Sequence, residues 1–343
     1  MIPMTHTRNP NQADVARRAG VSQAMVSYVL NANPNLSIPE ETRQRILSAI
    51  EELGYVPDRS ARSLRTRKTH TIAVALPDIT NPYHPAFARG AQDCAKTNGY
   101  DLMIYNTDGV YAGERSVLEA VLHNNVDGLI GAFQHLKVEE LQRITGRGVA
   151  VVLTEWYPHA PGPLPVTFVG IDNTRAAAQA VACLIRGGRR RIAHITGIPG
   201  SPPAEARLAG YRQSLAAEGI PPDERMVQAG DFSIEGGFRA MQALLDLPEP
   251  PDALFASNDL TAIGAMDAIQ QAGKRIPEDI AVIGFDDIPA AAIVRPRLTT
   301  VRPFQRQIGE RAAEILIEQI RHPLTGGERR METPFELIMR DSA

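Results

Sequence analysis

Polar side chains follow several of the short apolar runs beyond residue 70, and their types suit the binding of a polyhydroxylated ligand. Carboxylates and amides exchange hydrogen bonds with hydroxyls, an arginine adds a donor, and aromatic rings stack on the apolar faces of sugars. The residues are Asp78, Asn81, Tyr83, His84, Thr154, Glu155, Trp156, Asp172, Asn173, Arg207, Asn258, Asp259, Asp286 and Asp287. Helix caps or turns explain Asp172 and Asp287 equally well, and Asn81-Pro82 is also typical of a turn.

Signs of catalysis or metal binding are few. The sequence contains no G-x-G-x-x-G, no Walker loop and no G-x-S-x-G. Its eight histidines show no metal-ligand spacing. Asp286 and Asp287 are adjacent, and a binding role is a simpler interpretation than an acid/base pair. We therefore expect a binding protein, not an enzyme, with no cofactor and no metal.

Basic residues are concentrated near the N-terminus. Residues 1–70 contain ten Lys and Arg against six Asp and Glu, a charge of +4, whereas the whole chain has a net charge of −3. Residues 1–54 balance at five basic against five acidic residues, so the excess lies between residues 55 and 70. This asymmetry indicates a small nucleic-acid-binding module on an acidic body, although a solvated basic linker would give the same counts.

A capped helix and a tight turn are predicted at the start of this module. Asn11 is a suitable N-cap, Asp14 is its partner in a capping box, and Gly20 can adopt the positive φ of the turn that ends the helix. Small residues at Ala16 and Gly20 let the next helix cross closely, as a helix-turn-helix requires. An ordinary three-helix bundle with exposed polar residues would show the same pattern.

The second predicted helix is the candidate for reading DNA sequence. Ser22 caps it, it extends from Gln23 to about Leu30, and a third helix is expected over residues 40–53. In a helix-turn-helix the early residues of the second helix reach base edges and phosphates in the major groove. The candidate DNA-contacting residues here are Ser22, Gln23, Ala24, Met25, Ser27, Tyr28 and Asn31.

A short basic segment follows the three helices. Pro57 ends the preceding structure, Asp58 caps a short helix, and Ala61 and Leu64 fall on one face of it. A single leucine on a basic helix suits a wedge between base steps of the minor groove, with arginines on the flanking phosphates. The residues assigned to this role are Arg59, Ala61, Arg62, Leu64 and Arg65. Packing of Leu64 on the body of the protein, or disorder without DNA, is the alternative.

From residue 71 onward, short apolar runs alternate with helical stretches. This alternation predicts parallel sheets covered on both faces, and the length predicts two lobes. Strands are predicted at 71–76, 102–106, 128–132, 149–154, 167–171, 191–196, 253–257, 281–285 and 298–301, with helices that include 85–98, 174–187, 204–219, 260–273 and 305–322. Ligands of such sheets bind beyond the carboxyl ends of the strands, where the polar residues stand.

Several motifs, spaced over nearly the whole chain, resemble the lac repressor/purine repressor (LacI/GalR) family of bacterial transcriptional regulators. In the N-terminal module they are Asp14-Val15-Ala16, Ala19-Gly20-Val21-Ser22, Val29-Leu30-Asn31, Tyr55-Val56-Pro57 and Ala61-Arg62-Ser63-Leu64. In the body they include Pro77-Asp78, Asn81-Pro82-Tyr83, Ala206-Arg207, Ser257-Asn258-Asp259 and Gly284-Phe285-Asp286-Asp287. The resemblance implies that the second helix reads the major groove, that Leu64 intercalates in the minor groove, and that the body is similar to two-lobed periplasmic sugar-binding proteins.

The resemblance also implies which residues hold an effector. Arg207 and Asp286 would grip it directly. The full set of candidate effector-binding residues is Asp78, Asn81, Tyr83, His84, Glu155, Trp156, Arg207, Asn258, Asp259 and Asp286. This sequence departs from the usual pattern at Met25, where threonine is usual, at Tyr28, where arginine is frequent, and at Glu155, where aspartate is usual. Neither the operator sequence nor the effector can therefore be taken from a relative.

The expected organisation is an all-α helix-turn-helix headpiece followed by an α/β, doubly wound, two-lobed body that resembles periplasmic binding proteins. The predicted domains are a DNA-binding domain at 1–56, a hinge helix and linker at 57–70, and a ligand-binding and dimerisation domain at 71–343. Lobe 1 is expected at about 71–167 plus 300–322, and lobe 2 at about 168–299 plus 323–343.

The predicted function is a ligand-responsive regulator, most often a repressor, that binds a palindromic double-stranded DNA operator. Dyad-symmetric operators require two copies of the chain, which predicts a homodimer. The effector is expected to be a sugar or sugar derivative, and a purine or a sugar phosphate would suit the same side chains.

Two other protein classes are consistent with parts of the sequence. A periplasmic solute-binding protein would carry a signal peptide, which Met1–His6 does not suggest. A cytoplasmic sugar-acting enzyme with a fused helical bundle would need a phosphate loop or a catalytic pair. The apolar runs are far shorter than the roughly 20 residues that span a membrane. Cys94 and Cys183 do not suggest a disulfide framework, so we expect a cytoplasmic protein.

Overall fold

The computed structural model describes residues 10–30, 37–56, 68–124, 126–155, 164–324 and 326–343. The chain divides into two compact units, residues 1–69 and 70–343. Seven of the predicted site residues lie outside the described ranges: Asn31, Arg59, Ala61, Arg62, Leu64, Arg65 and Trp156.

The described residues of the first unit form three helices, α1 (Gln12–Ala19), α2 (Gln23–Leu30) and α3 (Glu40–Leu53). The predicted capping box is present, because the Asn11 side chain accepts from the backbone N–H of Asp14 while the Asp14 carboxylate accepts from that of Asn11. Gly20 has a φ of 66°, the left-handed conformation that lets the chain turn into α2. The three helices predicted before residue 54 and the Asn11 cap are confirmed, whereas the predicted hinge helix after Pro57 lies outside the described residues.

A small apolar core joins these helices. Val15, Val26 and Ile46, one from each helix, are completely buried at its centre. The short side chains of Ala16, Ala19 and Ala49 surround them. Because the core takes only one or two residues from each helix turn, the outer face of α2 is left to solvent.

The first sheet of the second unit consists of six parallel strands in the order β11-β5-β4-β3-β1-β2. Its helices pack in pairs, α4 with α11 on one face and α5 with α6 on the other. The elements are β1 (Thr71–Leu76), α4 (Tyr83–Thr97), β2 (Asp101–Asn106), α5 (Tyr111–Asn124), β3 (Gly128–Gly131), α6 (Val138–Thr145), β4 (Ala150–Leu153), β5 (Val166–Gly170), α11 (Gln305–Arg321) and β11 (Arg329–Glu332).

The second sheet also has six strands, in the order β12-β10-β9-β8-β6-β7, with β12 antiparallel to β10. Helices α7 and α8 cover one face, and α9 and α10 cover the other. The elements are α7 (Asn173–Arg186), β6 (Ile192–Ile195), α8 (Pro202–Ala217), β7 (Val227–Gln228), α9 (Ile234–Leu245), β8 (Ala253–Ala256), α10 (Asp259–Gln271), β9 (Ala281–Phe285), β10 (Thr299–Arg302) and β12 (Glu336–Ile338).

The chain passes between the two sheets at three places, after β5, after β10 and after β11. The predicted lobe boundaries differ from these crossings. The boundary predicted at residue 167 falls within β5, but β5 belongs wholly to the first sheet. The boundary predicted at residue 300 falls within β10, which belongs to the second sheet because it pairs with β9. The residues that form β11 were not predicted as a strand and were assigned to lobe 2, but Met331 pairs with Val169 in the first sheet.

No helix in the described ranges is both long enough and apolar enough to span a lipid bilayer.

Candidate functional site

A cavity of about 590 Å³ lies where the carboxyl ends of strands from both sheets face each other. Open parallel sheets expose loop residues at this edge, so it is the expected place for a ligand. Eight of the ten predicted effector-binding residues line the cavity, and they are Asp78, Asn81, Tyr83, His84, Glu155, Arg207, Asn258 and Asp286. Trp156 lies outside the described residues.

Arg207 is the cation of the cavity wall, and its position is fixed by three contacts. Its Nε donates to Asn173 Oδ1 at 2.9 Å and its Nη1 donates to the carbonyl oxygen of Ser257 at 2.5 Å. The guanidinium carbon lies 3.6 Å from the centroid of the Phe285 ring. Burial lowers the pKa of Arg207, while the neighbouring carboxylates of Asp286 and Glu155 oppose that shift. An arginine remains charged in such a site, so Arg207 offers a rigid, cationic donor.

Two carboxyl groups approach this cation, one from each sheet. Glu155 follows β4 and Asp286 follows β9. Burial raises the pKa of both groups to about 7, and Arg207 limits the shift by favouring the charged forms. Asp286 has a positive φ of 111°, and Gln305 donates to its backbone carbonyl oxygen. The two carboxylates have lost hydration that hydroxyl donors of a ligand could replace.

Buried polar atoms without partners occur on the first-sheet side of the cavity. His84 Nδ1 and Gln134 Oε1 are inaccessible to solvent and make no hydrogen bond with any described residue. Burial lowers the pKa of His84 to about 4, so this imidazole is neutral near pH 7. Because buried polar atoms are nearly always hydrogen-bonded in native proteins, these two atoms are unsatisfied in this arrangement of the lobes.

Tyr83 places a neutral hydroxyl beside the two carboxylates. Burial raises the pKa of this phenol, and the negative charges of Glu155 and Asp286 raise it further. Its ring meets that of His84 edge to face, with centroids 5.1 Å apart. The tyrosine therefore stays protonated and can donate to an oxygen of the ligand.

The loop after β7 contributes residues that sequence reasoning missed. Asp231, Phe232 and Ser233 line the cavity. The Phe232 ring lies so close to Gly197 that a Cβ there would be 1.9 Å from a ring carbon. Asn258 Nδ2 donates to the carbonyl oxygen of Phe232 at 3.0 Å, which holds the ring at the wall. Strand β7 has only two residues, so no apolar run marked this loop.

Asp259 was predicted to bind the effector, but it does not line the cavity. Its Oδ1 accepts from Thr300 Oγ1 at 2.5 Å, and its Oδ2 accepts from the backbone N–H of Ile288 at 2.9 Å. The first residue of α10 points into the second lobe, whereas Asn258, one position earlier, faces the cavity. Asp259 therefore has a structural role in joining α10 to β10 and to the chain after β9.

The sequence did not decide between a structural and a binding role for Asp172 and Asp287. In the structure, both have structural partners. Asp172 caps α7 by accepting from the backbone N–H of Arg175 at 2.9 Å. Asp287 forms ion pairs with Arg302 and Arg340 at 2.6 and 2.5 Å. Among the residues that the structure describes, no three His, Cys, Asp or Glu side chains are grouped to hold a metal ion.

In the first unit, the candidate DNA-reading helix α2 presents Gln23, Ala24 and Tyr28 to solvent. Ser22 is also exposed, and its Oγ accepts from the backbone N–H of Met25 at 3.2 Å, which caps the helix. Met25 itself is half-buried and packs against the apolar core of the unit. Less of Met25 is therefore free to meet a base than the sequence suggested.

Comparison with known proteins identifies the family. Residues 13–58 match the model of bacterial regulatory proteins of the lacI family, and residues 181–343 match the periplasmic binding protein-like domain. The chain is 36% identical over 333 residues to the ribose operon repressor of Escherichia coli (strain K12), with 96% of this chain and 98% of that protein covered. The chain belongs to the LacI family.

Solved structures of regulators agree with this membership. The LacI-family chain aligns with a transcriptional regulator CelR–cellobiose complex at a TM-score of 0.74 and 30% identity, covering 97% of this chain and all of that one. It aligns with the lac repressor dimer bound to operator and the anti-inducer ONPF at a TM-score of 0.86 and 25% identity, covering 98% and 99%. The predicted fold class, the ligand-responsive DNA-binding function and the absence of an enzymatic role are confirmed by these relatives.

Proposed function

We propose that this LacI-family regulator binds a dyad-symmetric operator as a homodimer and is controlled by a sugar or sugar-derived effector in the cavity between the lobes. The observation that carries the effector assignment is the convergence of Arg207 and Asp286 from the second lobe with Glu155 from the first. Cellobiose in the complex of one structural neighbour and the ribose operon of one relative support a sugar.

The two-sided wall gives the effector a way to act. A ligand that hydrogen-bonds to Glu155 and Arg207 together stabilises the arrangement in which the lobes are close. It can change DNA affinity only by the difference between its affinities for the two arrangements of the protein. The regulatory effect therefore depends on contacts made to both lobes at once.

The DNA-contacting role rests on α2 and on the basic segment that follows α3. The exposed Gln23 and Tyr28 are the residues we assign to base edges, and Leu64 is assigned to the minor groove by sequence alone. Two copies of the chain are needed to read the two halves of a palindrome, as in the lac repressor dimer bound to operator. An operator-binding protein of a bacterium works where the chromosome is, so we place it in the cytoplasm.

A ligand screen tests the effector assignment. Full-length protein is heated with D-ribose, cellobiose, common aldohexoses, purines and sugar phosphates, and a ligand of the native state raises the unfolding temperature. Arg207→Ala should abolish this shift and the effect of the same ligand on operator binding. The matched control is Arg212→Ala, because Arg212 is on the same helix but is exposed and paired with Glu224. Stabilisation that survives Arg207→Ala would place the ligand elsewhere.

Operator binding tests the second half of the proposal. Leu64→Ala should weaken specific binding to the operator much more than non-specific binding to DNA, because a wedge acts only where the duplex is kinked. Equal losses in both would remove the intercalating role of Leu64.

A further inference from the structure

The charge of the cavity wall is strongly one-sided. Among the described residues that line it, there are six carboxylates and one cationic side chain, that of Arg207. The carboxylates are those of Asp78, Asp108, Glu155, Asp231, Glu235 and Asp286. An ionised ligand must be matched by opposite charge when it leaves water, because desolvation of an unpaired charge is costly. The identity of the effector is therefore constrained by charge as well as by shape.

Three of the six carboxylates accept hydrogen bonds or form an ion pair within the protein. Asp78 accepts from the backbone and hydroxyl of Thr80, and Asp108 accepts from Asn106. Asp231 accepts from Ser233 and pairs with Arg239.

Glu155 and Asp286 differ from the occupied carboxylates. Neither side chain has a hydrogen bond or an ion pair within 4 Å among the described contacts. Glu235 likewise has no described partner but is exposed, so Glu155 and Asp286 are the two unpartnered acidic groups of the wall that are not exposed to water.

Arg207 cannot offset a further negative charge. Two of its three nitrogens are used by Asn173 and by the carbonyl oxygen of Ser257, and one face of the guanidinium is covered by Phe285. A phosphate monoester would bring a charge of about −1.5 to −2 into a wall where Glu155 and Asp286 already oppose one arginine. Phosphate sites in proteins normally supply several cationic or backbone donors.

We infer that the cavity selects sugars without negative charge, neutral or amine-bearing, and that Glu155 and Asp286 enforce this selection. This inference rests on the proposed effector site. One carboxylate stands on each lobe, so a ligand must offer a donor to both walls, which hydroxyls and an ammonium can do and a phosphate or carboxylate cannot. The selection works by repulsion of the wrong ligand as much as by attraction of the right one.

The test uses full-length protein and calorimetric titration with sugars matched in all but charge. The neutral probes are D-ribose, D-glucose and cellobiose, and the charged probes are ribose 5-phosphate, glucose 6-phosphate, D-glucuronate and D-glucosamine. For any sugar that binds, the phosphate and the acid should bind at least 30-fold more weakly than the neutral parent, while the amine should bind within about threefold of it or more tightly. An anionic form that binds more tightly than its parent would overturn the inference and leave the sugar site intact.

Variants then assign the selection to the two residues. Glu155→Gln and Asp286→Asn should each reduce the ratio of the affinity for the neutral sugar to that for the phosphorylated sugar by tenfold or more. Each should also weaken binding of the amino sugar. Glu218→Gln is the matched control, since Glu218 is an exposed carboxylate outside the cavity lining, and it should leave the ratio unchanged. Ratios of affinities are compared because a general loss of folding lowers all affinities together, and operator binding verifies that each variant is folded.

The outcomes separate the two proposals. The wild-type protein could discriminate by charge while both variants keep the same ratio of affinities for neutral and phosphorylated sugar. That result would overturn the role of Glu155 and Asp286. Failure of every neutral, amine and anionic sugar to bind would overturn the proposed sugar effector itself, and the inference with it.

Discussion

The guanidinium carbon of Arg207 lies over the ring of Phe285, 3.6 Å from its centroid, and Phe285 is directly followed by Asp286 in the sequence. The last residue of strand β9 therefore holds the cation of the cavity, and the next residue supplies a carboxylate. Because Phe285 is completely buried, packing in the sheet fixes this geometry before any ligand binds. Such preorganisation reduces the entropy lost on binding.

Replacement of this ring should weaken binding of the effector. Phe285→Leu removes the cation–π contact, which contributes about 1–2 kcal/mol when desolvated, so affinity should fall roughly 5- to 30-fold by titration calorimetry. Operator binding in the absence of effector should be unchanged. Phe133→Leu, in the core of the first lobe, is the control for loss of a buried ring. If Phe285→Leu and Phe133→Leu reduce the affinity for the effector equally, the loss comes from lower stability of the fold, and the proposed role of the cation–π contact is wrong.

Much of this arrangement was predictable because its signals are local. A few consecutive residues are enough to predict a local feature. Examples are the capping box of Asn11 and Asp14, the left-handed Gly20 and the apolar strand Thr71–Leu76, which the structure shows at the predicted positions. The polar residues that follow the apolar strands likewise located part of the cavity wall, including Asp78, Glu155 and Asp286.

The features that were missed depend on pairing between distant segments. Strand β11 has the sequence Arg-Arg-Met-Glu and is exposed along its length, so neither hydrophobicity nor alternation marks it. It is a strand because β5 offers it hydrogen bonds from more than a hundred residues earlier in the chain. The assignment of Asp259 to the cavity was wrong for another reason. Asn258 and Asp259 are neighbours at a helix start, and their side chains point in different directions that only the finished packing distinguishes.

A buried carboxylate supports the part of the wall that contains Gln134. Both oxygens of Glu114 accept from successive backbone N–H groups, those of Gln134, His135 and Leu136, at 2.6 to 3.0 Å. The His135 ring also contacts the carbonyl oxygen of Gly109, which lies in another loop of the cavity. Glu114 thus fixes two wall segments without touching the cavity itself.

Glu114→Gln should loosen this support, because an amide offers one acceptor oxygen in place of two and adds donors that face the backbone N–H groups. We expect a loss of about 2–3 kcal/mol in the free energy of unfolding and a several-fold weaker effector. Chemical denaturation and calorimetry measure the two effects. Glu119→Gln, an exposed position on the same helix, should change neither. Normal stability of the Glu114 variant would show that water replaces the lost acceptor.

Sequence preference on DNA should respond to Tyr28, a side chain of α2 that is 38% exposed although it is large and partly apolar. Tyr28→Ala should relax the preference at one or two base pairs, by about 1–3 kcal/mol for each lost contact, in a selection from randomised operators. Tyr28→Phe separates the hydroxyl from the ring. Leu47→Ala, an exposed apolar position on α3, is the control. An unchanged binding profile for Tyr28→Ala would remove this residue from the reading surface.

The last prediction concerns pH and follows from the raised pKa of Glu155 and Asp286, about 7 in each case. In the unfolded chain these groups ionise near pH 4, so between about pH 4 and pH 7 the unfolded state releases protons that the native state keeps. Their contribution to the stability of the ligand-free protein is therefore fully favourable below pH 4 and is lost as pH rises to 7. The double variant Glu155→Gln/Asp286→Asn does not titrate.

Its unfolding temperature relative to wild type should accordingly rise between pH 5.5 and pH 8, by several degrees, and then stay constant, as scanning calorimetry of ligand-free protein would show. Burial lowers the pKa of His84 and of His194 to about 4, which makes the native state less stable as pH falls from 6.5 towards 4. Both histidines are present in the two proteins, so their effect cancels in the difference. A difference that does not change with pH would mean that the two carboxylates are already ionised, and hydrated, in the ligand-free cavity.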